Sequence, residues 1–341
     1  MRKHEVVVVS GVRTAIGTYG GSLKTQPPSE LAGKLVAEAV RRAGISPQAV
    51  DDCVFGNVIH SEPADMYMAR VAAIKGGLPE SIPSLTVNRL CGSGLQAIIT
   101  AAQQIELGES TTVVAGGAES MSRVPYWLPT ARFGQRMGNG EMIDAMVATL
   151  HCPFNHIHMG VTAENCAEKY AISREQQDLL AAQSHNRAQH AIEQGYFKGQ
   201  IMPVELKSRN GVTLFDTDEH VRLNCKPEEM AGLKPVFKQG GTVTAGNASG
   251  LNDAAAAVVM MERQTAEAQG LVPMAKLVGY ATVGVDPKYM GIGPVPAIRK
   301  LLDKNNLTVN DIDLYEVNEA FAAQALAVAK ELDLPTERLN P

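Results

Sequence analysis

Short apolar runs alternate with amphipathic helical patterns through residues 1–120, and this alternation constrains the fold more than any other feature. Residues 6–9 predict a buried strand, and residues 30–43 predict a helix that ends at Gly44. The same order continues through a strand at 53–59, a helix near 68–75, and strands at 85–87 and 112–116. Strands that alternate with helices predict an α/β fold with a mainly parallel sheet covered on both faces.

The composition limits the partners that such a chain can have. It has 341 residues, 20% of them charged, and a net charge of −5 without a basic cluster, which argues against nucleic acid. No apolar stretch approaches the length of a membrane span, so we expect no membrane partner. The five cysteines are odd in number and irregularly spaced, which favours a reducing, cytoplasmic setting without disulfides.

The middle of the chain, roughly residues 121–251, has a different pattern and predicts an inserted lobe over the core. It is rich in Pro, Gly, Met and His before a charged helical stretch at 173–194, and residues 213–218 predict a short strand. Ser173 and Gln176 have the spacing of a capping box for that helix.

The α/β pattern resumes near Ala275 and echoes the first part of the chain. Residues 45–51 and 307–313 are similar stretches, each after a helix and before a predicted strand. The echo predicts a duplicated α/β half. The first copy continues through a further strand and helix that the second lacks, so the sequence predicts a truncated chain.

The clearest candidate for chemistry is Cys91, in the sequence Asn-Arg-Leu-Cys-Gly-Ser-Gly at 88–94. It follows a β-branched run and precedes a helical pattern, which places it in the first turn of a helix, where free N–H groups favour a thiolate. Gly92 and Gly94 leave room for a carbonyl group, so the parts suit acyl transfer. The alternative is a buried free cysteine that only fills space.

A second candidate is Asn318, where a predicted strand at 314–317 turns into an Ala-rich helix. At the carboxyl end of a strand it could position a water or donate to an oxyanion. It could equally be the N-cap of that helix, and Glu319 could simply favour the positive helix end.

Two further segments suit a ligand. The small-residue loop at 240–253 allows a ligand to lie against backbone, with Ser249 or Asn247 as hydrogen-bonding groups, or it is only a tight connection. The segment at 151–158 has His and Cys residues, but their spacing fits no usual metal set, so we expect no metal. There His158 could face a ligand, and Met159 and Met290 could line an apolar pocket or fill core.

Several motifs together resemble the thiolase family, the acetyl-CoA acetyltransferases and β-ketothiolases. They lie at 88–94, 116–122, 158–160, 163–165, 241–253, 284–287, 290–296 and 318–323, and the resemblance spans residues 6–341. The stretch 290–296 is most similar to bacterial biosynthetic, broad-specificity β-ketothiolases that feed polyhydroxyalkanoate precursors.

The resemblance implies a fold of duplicated βαβαβαββ halves stacked as a five-layer αβαβα sandwich with an inserted loop domain. The halves would be residues 1–120 with 252–272, and the incomplete 273–341. Residues 121–251 would form the loop domain, which binds coenzyme A (CoA) and helps to build a homodimer or homotetramer.

The resemblance also implies a ping-pong acyl transfer between CoA thioesters, without a further cofactor. Cys91 would carry the acyl group, Asn318 would hold the water of one oxyanion hole, and the Cys91 backbone N–H would contribute to another. CoA and the acyl group would lie against a larger set of residues: Arg222, His158, Met159, Phe237, Ser249, Met290 and Phe321.

Departures from the family pattern leave alternatives. The family's C-terminal Gly-His-Pro and Cys-x-Gly segments, which supply the activating His and the acid/base Cys, are absent before Pro341, and Glu229 replaces a small polar residue near the adenine. A truncated fold that binds acyl-CoA or a partner without turnover is one alternative. A ketoacyl-synthase-like condensing enzyme, specific for acyl-carrier protein, is another.

Overall fold

A computed structural model describes residues 4–209 and 211–341. The chain forms two compact units. The first contains the residues up to Met146, Phe197–His220 and Leu251–Leu277, and the second contains Val147–Tyr196, Val221–Gly250 and Val278–Pro341. The two predicted halves and the inserted loop domain were defined by a repeat in the sequence, whereas these two units are defined by how compactly the residues pack. The predicted division therefore stays a prediction.

The helices of the described residues are, in chain order, α1 (Pro28–Ala43), α2 (Met68–Lys75), α3 (Ser93–Leu107), α4 (Ala145–Thr149), α5 (Met159–Lys169), α6 (Arg174–Glu193), α7 (Pro227–Ala231), α8 (Arg263–Ala268), α9 (Pro294–Asn305) and α10 (Ala322–Leu332). None of them combines the length and the apolar composition that a bilayer crossing requires.

The strands of the described residues are β1 (Val6–Arg13), β2 (Gly17–Thr18), β3 (Asp52–Gly56), β4 (Ser84–Val87), β5 (Thr112–Ser120), β6 (Tyr126–Trp127), β7 (Ile143–Asp144), β8 (Val204–Ser208), β9 (Gly211–Phe215), β10 (Asn252–Glu262) and β11 (Ala275–Lys276). The pairs β6–β7 and β8–β9 form separate two-stranded antiparallel sheets.

The remaining strands form one mixed sheet in the first unit, in the order β11-β1-β10-β5-β3-β4, with β2 also paired to β10. Only the pairs β3–β4 and β3–β5 are parallel, whereas β5 pairs with β10 in the antiparallel direction. The prediction of a mainly parallel sheet was therefore wrong, because β10 returns antiparallel between β1 and β5. The apolar runs indicate strands that are buried on both faces, and such burial is compatible with parallel or antiparallel pairing.

Helices cover this sheet on both faces: successive residues of β5 contact α1 on one face and α3 on the other. Val114 and Ala118 belong to the core that also contains Leu31 and Leu35 of α1. Gly117 points to the other face, where a Cβ would lie 3.4 Å from the Cα of Gly94 in α3. Successive strand residues face opposite sides, so α1 and α3 lie on opposite faces of the sheet.

The structure confirms three helix features that were predicted from short sequence signals. α1 ends at Gly44, which has a left-handed conformation with φ of 70°. α2 has the predicted bounds. The capping box of α6 is present: the Oγ of Ser173 accepts from the amide of Gln176, whose side chain accepts from the amide of Ser173.

Helices α5, α6, α7, α9 and α10 belong to the second unit. Val295 of α9 and Val328 of α10 share a small core with Tyr315 and Leu339. The predicted strand at 314–317 is reduced here to one parallel bridge between Tyr315 and Leu339. A strand needs successive paired residues, and among the described residues this segment has no longer ladder.

Candidate active site

Cys91 lies in a tight turn of the first unit, between β4 and α3. The helix begins at Ser93 with Gly92 as its N-cap, so Cys91 is the residue before the N-cap and does not lie in the first turn of the helix. The side chain is exposed, whereas Cys53, Cys152, Cys166 and Cys225 are all buried. The alternative of a buried, space-filling Cys91 is therefore wrong.

The backbone around Cys91 could stabilise the negative charge that develops on the oxygen of a carbonyl group under attack. The positive end of the α3 dipole faces this turn. Among the described residues, the amide of Cys91 donates to no backbone carbonyl, whereas the amides of Gly92 and Ser93 donate to Arg89 and Leu90. A Cβ at Gly94 would meet no described atom within 4 Å, so packing in this structure does not account for that glycine.

The four buried cysteines are poorer candidates for the nucleophile than Cys91. Burial raises the pKa of the Cys53 thiol, and it raises the pKa of Cys166 to about 11. Burial also raises the pKa of Cys225. The pKa of Cys152 is lowered, chiefly by a hydrogen bond from the backbone N–H of Asn155, but its side chain is only 3% exposed.

In the second unit, His158 begins α5 as its N-cap. Its Nδ1 accepts a hydrogen bond from the amide of Gly160 at 3.0 Å, so in the neutral ring the proton is on Nε2. Burial, and then the nearby His151, lower the pKa of His158. The neutral ring therefore presents an N–H donor at Nε2.

An aromatic and apolar cluster surrounds this histidine. The ring of His158 stacks on Phe237 with centroids 4.6 Å apart, and Phe237 meets Phe321 edge-on at 6.1 Å. Met159 and Ala248 pack on the same core as Phe321. The structure thus brings together four of the predicted ligand-binding residues within one unit.

Gly160 permits the His158–Phe237 stack, since a Cβ at this position would lie 2.3 Å from ring carbons of Phe237. Gly160→Ala must displace the ring, so we expect it to lower the free energy of unfolding by about 1–3 kcal/mol. Urea denaturation measures the change. Gly232→Ala is the matched control, because a Cβ at Gly232 would have no atom of another described residue within 4 Å, apart from its neighbours in the chain. Equal stability of the two variants would contradict the tight packing.

The small-residue loop is held by Glu164, which is 3% exposed. Its carboxylate accepts from the amides of Thr242 and Val243 at 2.8–2.9 Å. The Asn247 side chain is also used within the protein: it donates to Asp178 and accepts from the amide of Thr244. Asn247 is therefore structural and not free for a ligand, whereas Ser249 is exposed.

The loop also pairs with the segment that contains Phe321. The amide of Ser249 donates to the carbonyl of Ala320, and the amide of Ala322 donates to the carbonyl of Asn247. These two bonds flank a bridge between Ala248 and Phe321. The predicted binding residues Ser249 and Phe321 thus share one local framework.

Asn318 is exposed and precedes α10 by four residues. The N-cap of α10 is Phe321, so the interpretation of Asn318 as an N-cap was wrong. Both neighbours of Asn318 are held by Asn340, whose side chain bonds the amide and carbonyl of Val317 and the carboxylate of Glu319 at 2.8–2.9 Å. Glu319 also accepts from Ser184, so its role is to brace this segment rather than only to favour a helix end.

Arg222 and Met290 lie elsewhere in the second unit. Arg222 is exposed, and its backbone amide donates to Nδ1 of His185. Met290 lies in the 3-10 turn Pro287–Ile292, 36% exposed. The neighbouring Gly291 fits closely against Gln324 of α10, where a Cβ would lie 2.6 Å away.

No group of three or more His, Cys, Asp or Glu side chains in the described ranges could hold a metal ion. The expectation of a metal-free site stays a prediction.

Family models match almost the whole chain. The thiolase N-terminal domain model matches residues 6–264, and the thiolase C-terminal domain model matches residues 271–341. The chain belongs to the thiolase family. The sequence motif around Cys91 and the motif that contains Asn318 both lie within these matched ranges.

Individual relatives agree with the family models. This thiolase is 61% identical to the β-ketothiolase BktB of Cupriavidus necator over 99% of its own length and 86% of the relative's. It is 49% identical to an acetyl-CoA acetyltransferase of Syntrophomonas wolfei over 96% of its own length and 83% of the relative's.

Solved structures show the thiolase fold. The acetyl-CoA acetyltransferase of Bacillus anthracis matches with a TM-score of 0.96 and 50% identity, over 99% of this chain and 85% of the other. A human mitochondrial 3-ketoacyl-CoA thiolase in complex with CoA matches with a TM-score of 0.95 and 42% identity, over 99% and 85%.

Proposed function

We propose that this thiolase transfers acyl groups between CoA thioesters through an acyl intermediate on Cys91. The single observation that carries the proposal is the exposure of this thiol, since the other four cysteines are buried. Its position just before α3, three residues from the open Gly94, adds the donors and the space that acyl transfer needs.

In the first step, the Cys91 thiolate attacks the thioester carbonyl of an acyl-CoA. A carbon–sulfur bond forms to Cys91, the bond to the CoA sulfur breaks, and the CoA thiolate takes up a proton as it leaves. In the second step, another acyl-CoA loses an α proton to a general base, and its α carbon attacks the carbonyl of acyl-Cys91. A carbon–carbon bond forms and the Cys91 thiolate is released, so the product is a 3-ketoacyl-CoA. Thiolysis is the reverse.

Two groups would stabilise the oxyanions of these steps. The amide of Cys91 is one, because it donates to no backbone carbonyl in the described part of the chain. Asn318 is the other, acting through a water. The exposure of Asn318 and the rigid hold on its two neighbours support this role.

The second unit carries groups that fit CoA. The Nε2–H of neutral His158 would donate to an acceptor on the ligand, and the exposed Ser249 would add a hydroxyl. Met159, Phe237 and Phe321 form an apolar cluster suited to the thioester end, with Met290 as a further contact.

The phosphates of CoA would be recognised by Arg222. Its guanidinium is exposed and forms no hydrogen bond with another described residue, so its donors are available for phosphate. Glu229, in the first turn of α7, is exposed and would lower affinity for the nucleotide by charge repulsion.

Several finer properties belong to the same proposal. The 61% identity to BktB favours a broad-specificity β-ketothiolase that supplies polyhydroxyalkanoate precursors. CoA would be substrate and product, with no further cofactor. We expect a homodimer or homotetramer, and a cytoplasmic setting, which five cysteines without a disulfide favour.

The test is acyl transfer by the purified full chain. Acetyl-CoA alone should leave an acetyl group on the peptide that contains Cys91, detected by mass spectrometry. Acetoacetyl-CoA with CoA should then give acetyl-CoA. CoA binding without an acetyl adduct would overturn the proposal in favour of a non-catalytic acyl-CoA-binding role. Turnover that requires acyl-carrier-protein thioesters would favour a ketoacyl-synthase-like enzyme instead.

A further inference from the structure

The motif Gly-Gly-Ala-Glu-Ser-Met-Ser at 116–122 has no part in the proposed chemistry, yet it contains the end of β5, where Gly117 lies against Gly94 of α3. Glu119 turns its carboxylate to the segment that follows β3. Oε2 accepts from the amide of Val58 at 2.8 Å, and Oε1 accepts from the amide of Ile59 at 3.2 Å. Burial raises the pKa of Glu119 to about 7, while these two N–H groups act in the opposite direction.

Val58 connects this carboxylate to the turn that contains Cys91. The Nδ2 of Asn88 donates to the carbonyl of Val58 at 3.2 Å, and the Oδ1 of Asn88 accepts from the amide of Leu90 at 2.9 Å. Leu90 has a φ of 48°, a left-handed conformation that is rare for a residue with a bulky side chain. Such a conformation persists only when neighbouring groups hold it.

Ser93 holds the same turn from the helix side. Its Oγ donates to the carbonyl of Leu90 at 2.6 Å and accepts from the amide of Arg89 at 2.9 Å. Ser93 is 5% exposed and packs on Gly56, where a Cβ would lie 2.6 Å from a Ser93 backbone carbon. The turn is thus fixed by the packed Ser93 on one side and by the Glu119–Val58–Asn88 connection on the other.

We propose that Glu119 is a positioning residue for Cys91, acting through Val58 and Asn88. Glu119 does not touch the thiol; it holds the backbone that Asn88 uses to keep Leu90 left-handed. The role deepens the proposed function, on which it rests, because it concerns the same nucleophile. It also gives the 116–122 motif a physical reason.

Loss of the carboxylate should loosen the turn and move Cys91 away from the α3 terminus. Glu119 uses a separate oxygen for each amide, and in Glu119→Gln one of these two acceptors becomes an Nε2 donor, so this pair of hydrogen bonds cannot be kept as it is. In the full chain, we expect the rate constant for alkylation of Cys91 by iodoacetamide to fall about two- to fivefold, the range expected for losing a helix-terminus interaction. Peptide mass spectrometry assigns the adduct to Cys91.

Glu219→Gln is the matched control. Glu219 also accepts from two backbone amides in the first unit, those of Thr18 and Ser22, but in the described part of the chain it forms no hydrogen bond with residues 88–93. We expect this variant to alkylate at the unchanged rate even where its melting temperature falls. An equal fall in alkylation in both Gln variants would mean general loosening and would overturn the proposal.

A double-mutant cycle distinguishes positioning from a merely structural role. If Glu119 acts through Asn88, Glu119→Gln combined with Asn88→Ala should alkylate at the rate of Asn88→Ala alone. Multiplicative losses, or an unchanged rate in Glu119→Gln, would overturn the proposal. If Glu119→Gln does not fold, Asn88→Ala alone tests the proposal. An unchanged alkylation rate of Cys91 in Asn88→Ala would also overturn it.

The readout separates this proposal from the proposed function. Alkylation needs neither substrate nor turnover, so the predicted pattern of rates can hold in a protein that transfers no acyl group. Conversely, a variant series with unchanged alkylation would leave acyl transfer by Cys91 intact while removing the role of Glu119.

Discussion

Cys91→Ser should lower the rate of acetoacetyl-CoA thiolysis by about 10⁴-fold or more and should remove the acetyl adduct. The serine hydroxyl is about as small as the thiol but is a far weaker nucleophile at neutral pH without strong activation by a base. Cys91 is exposed and precedes the helix, so we expect the substitution to leave the fold intact. Steady-state kinetics and intact-protein mass spectrometry after exposure to acetyl-CoA are the measurements.

The control for this experiment is Cys152→Ser. Cys152 is the other cysteine with a reason to be reactive, since the N–H of Asn155 lowers its pKa, but it is buried. We expect Cys152→Ser to keep the acetyl adduct on Cys91. An adduct that persists in Cys91→Ser and disappears in Cys152→Ser would assign the nucleophile to the second unit and contradict our assignment.

Signals that act over a few residues predicted local structure well. The bounds of α2, the left-handed Gly44 at the end of α1 and the capping box of α6 all depend on neighbours within four positions. For Gly44 the physical cause is a left-handed backbone conformation, and for Ser173 it is an unsatisfied N–H group, so both causes are contained in the segment itself.

Strand direction and pairing were not predictable in the same way. The apolar run that becomes β10 indicates burial on both faces, but not that it returns antiparallel between β1 and β5. The segment at 314–317 has a strand-like pattern, yet within the described residues only its Tyr315 forms a bridge. Both outcomes depend on partners that lie far away in the chain.

The sequence motifs indicated the candidate reactive and binding groups, but not what holds them in place. Asn340 bonds the two neighbours of Asn318 from 23 and 21 residues away, and Glu119 reaches Val58 across 61 residues. A polar side chain in a sequence states which bonds it can form, not which backbone group it will meet. The sequence motif at 116–122 was the only signal for Glu119, and Asn340 had none.

Asn318→Ala should lower kcat for thiolysis by about 10²–10³-fold, as expected for loss of an oxyanion-stabilising group. KM should change little, because the interaction is strongest in the transition state. The Asn318 side chain is exposed and bonds no other described residue, so its loss should change the free energy of unfolding by less than about 0.5 kcal/mol. Kinetics and urea denaturation test the two expectations separately. Asn310→Ala is the control, since Asn310 is an exposed asparagine in the turn Val309–Asp311.

Asn318→Asp decides whether the amide acts electrostatically. Aspartate has nearly the same size as asparagine, but its carboxylate places a negative charge where the oxyanion develops. We therefore expect Asn318→Asp to be slower than Asn318→Ala. If Asn318 only filled space, the isosteric aspartate would be the milder change, and that order of rates would contradict the role. Asn340→Ala provides the contrast: it releases Val317 and Glu319, so it should lower kcat and stability together, whereas Asn318→Ala lowers kcat alone.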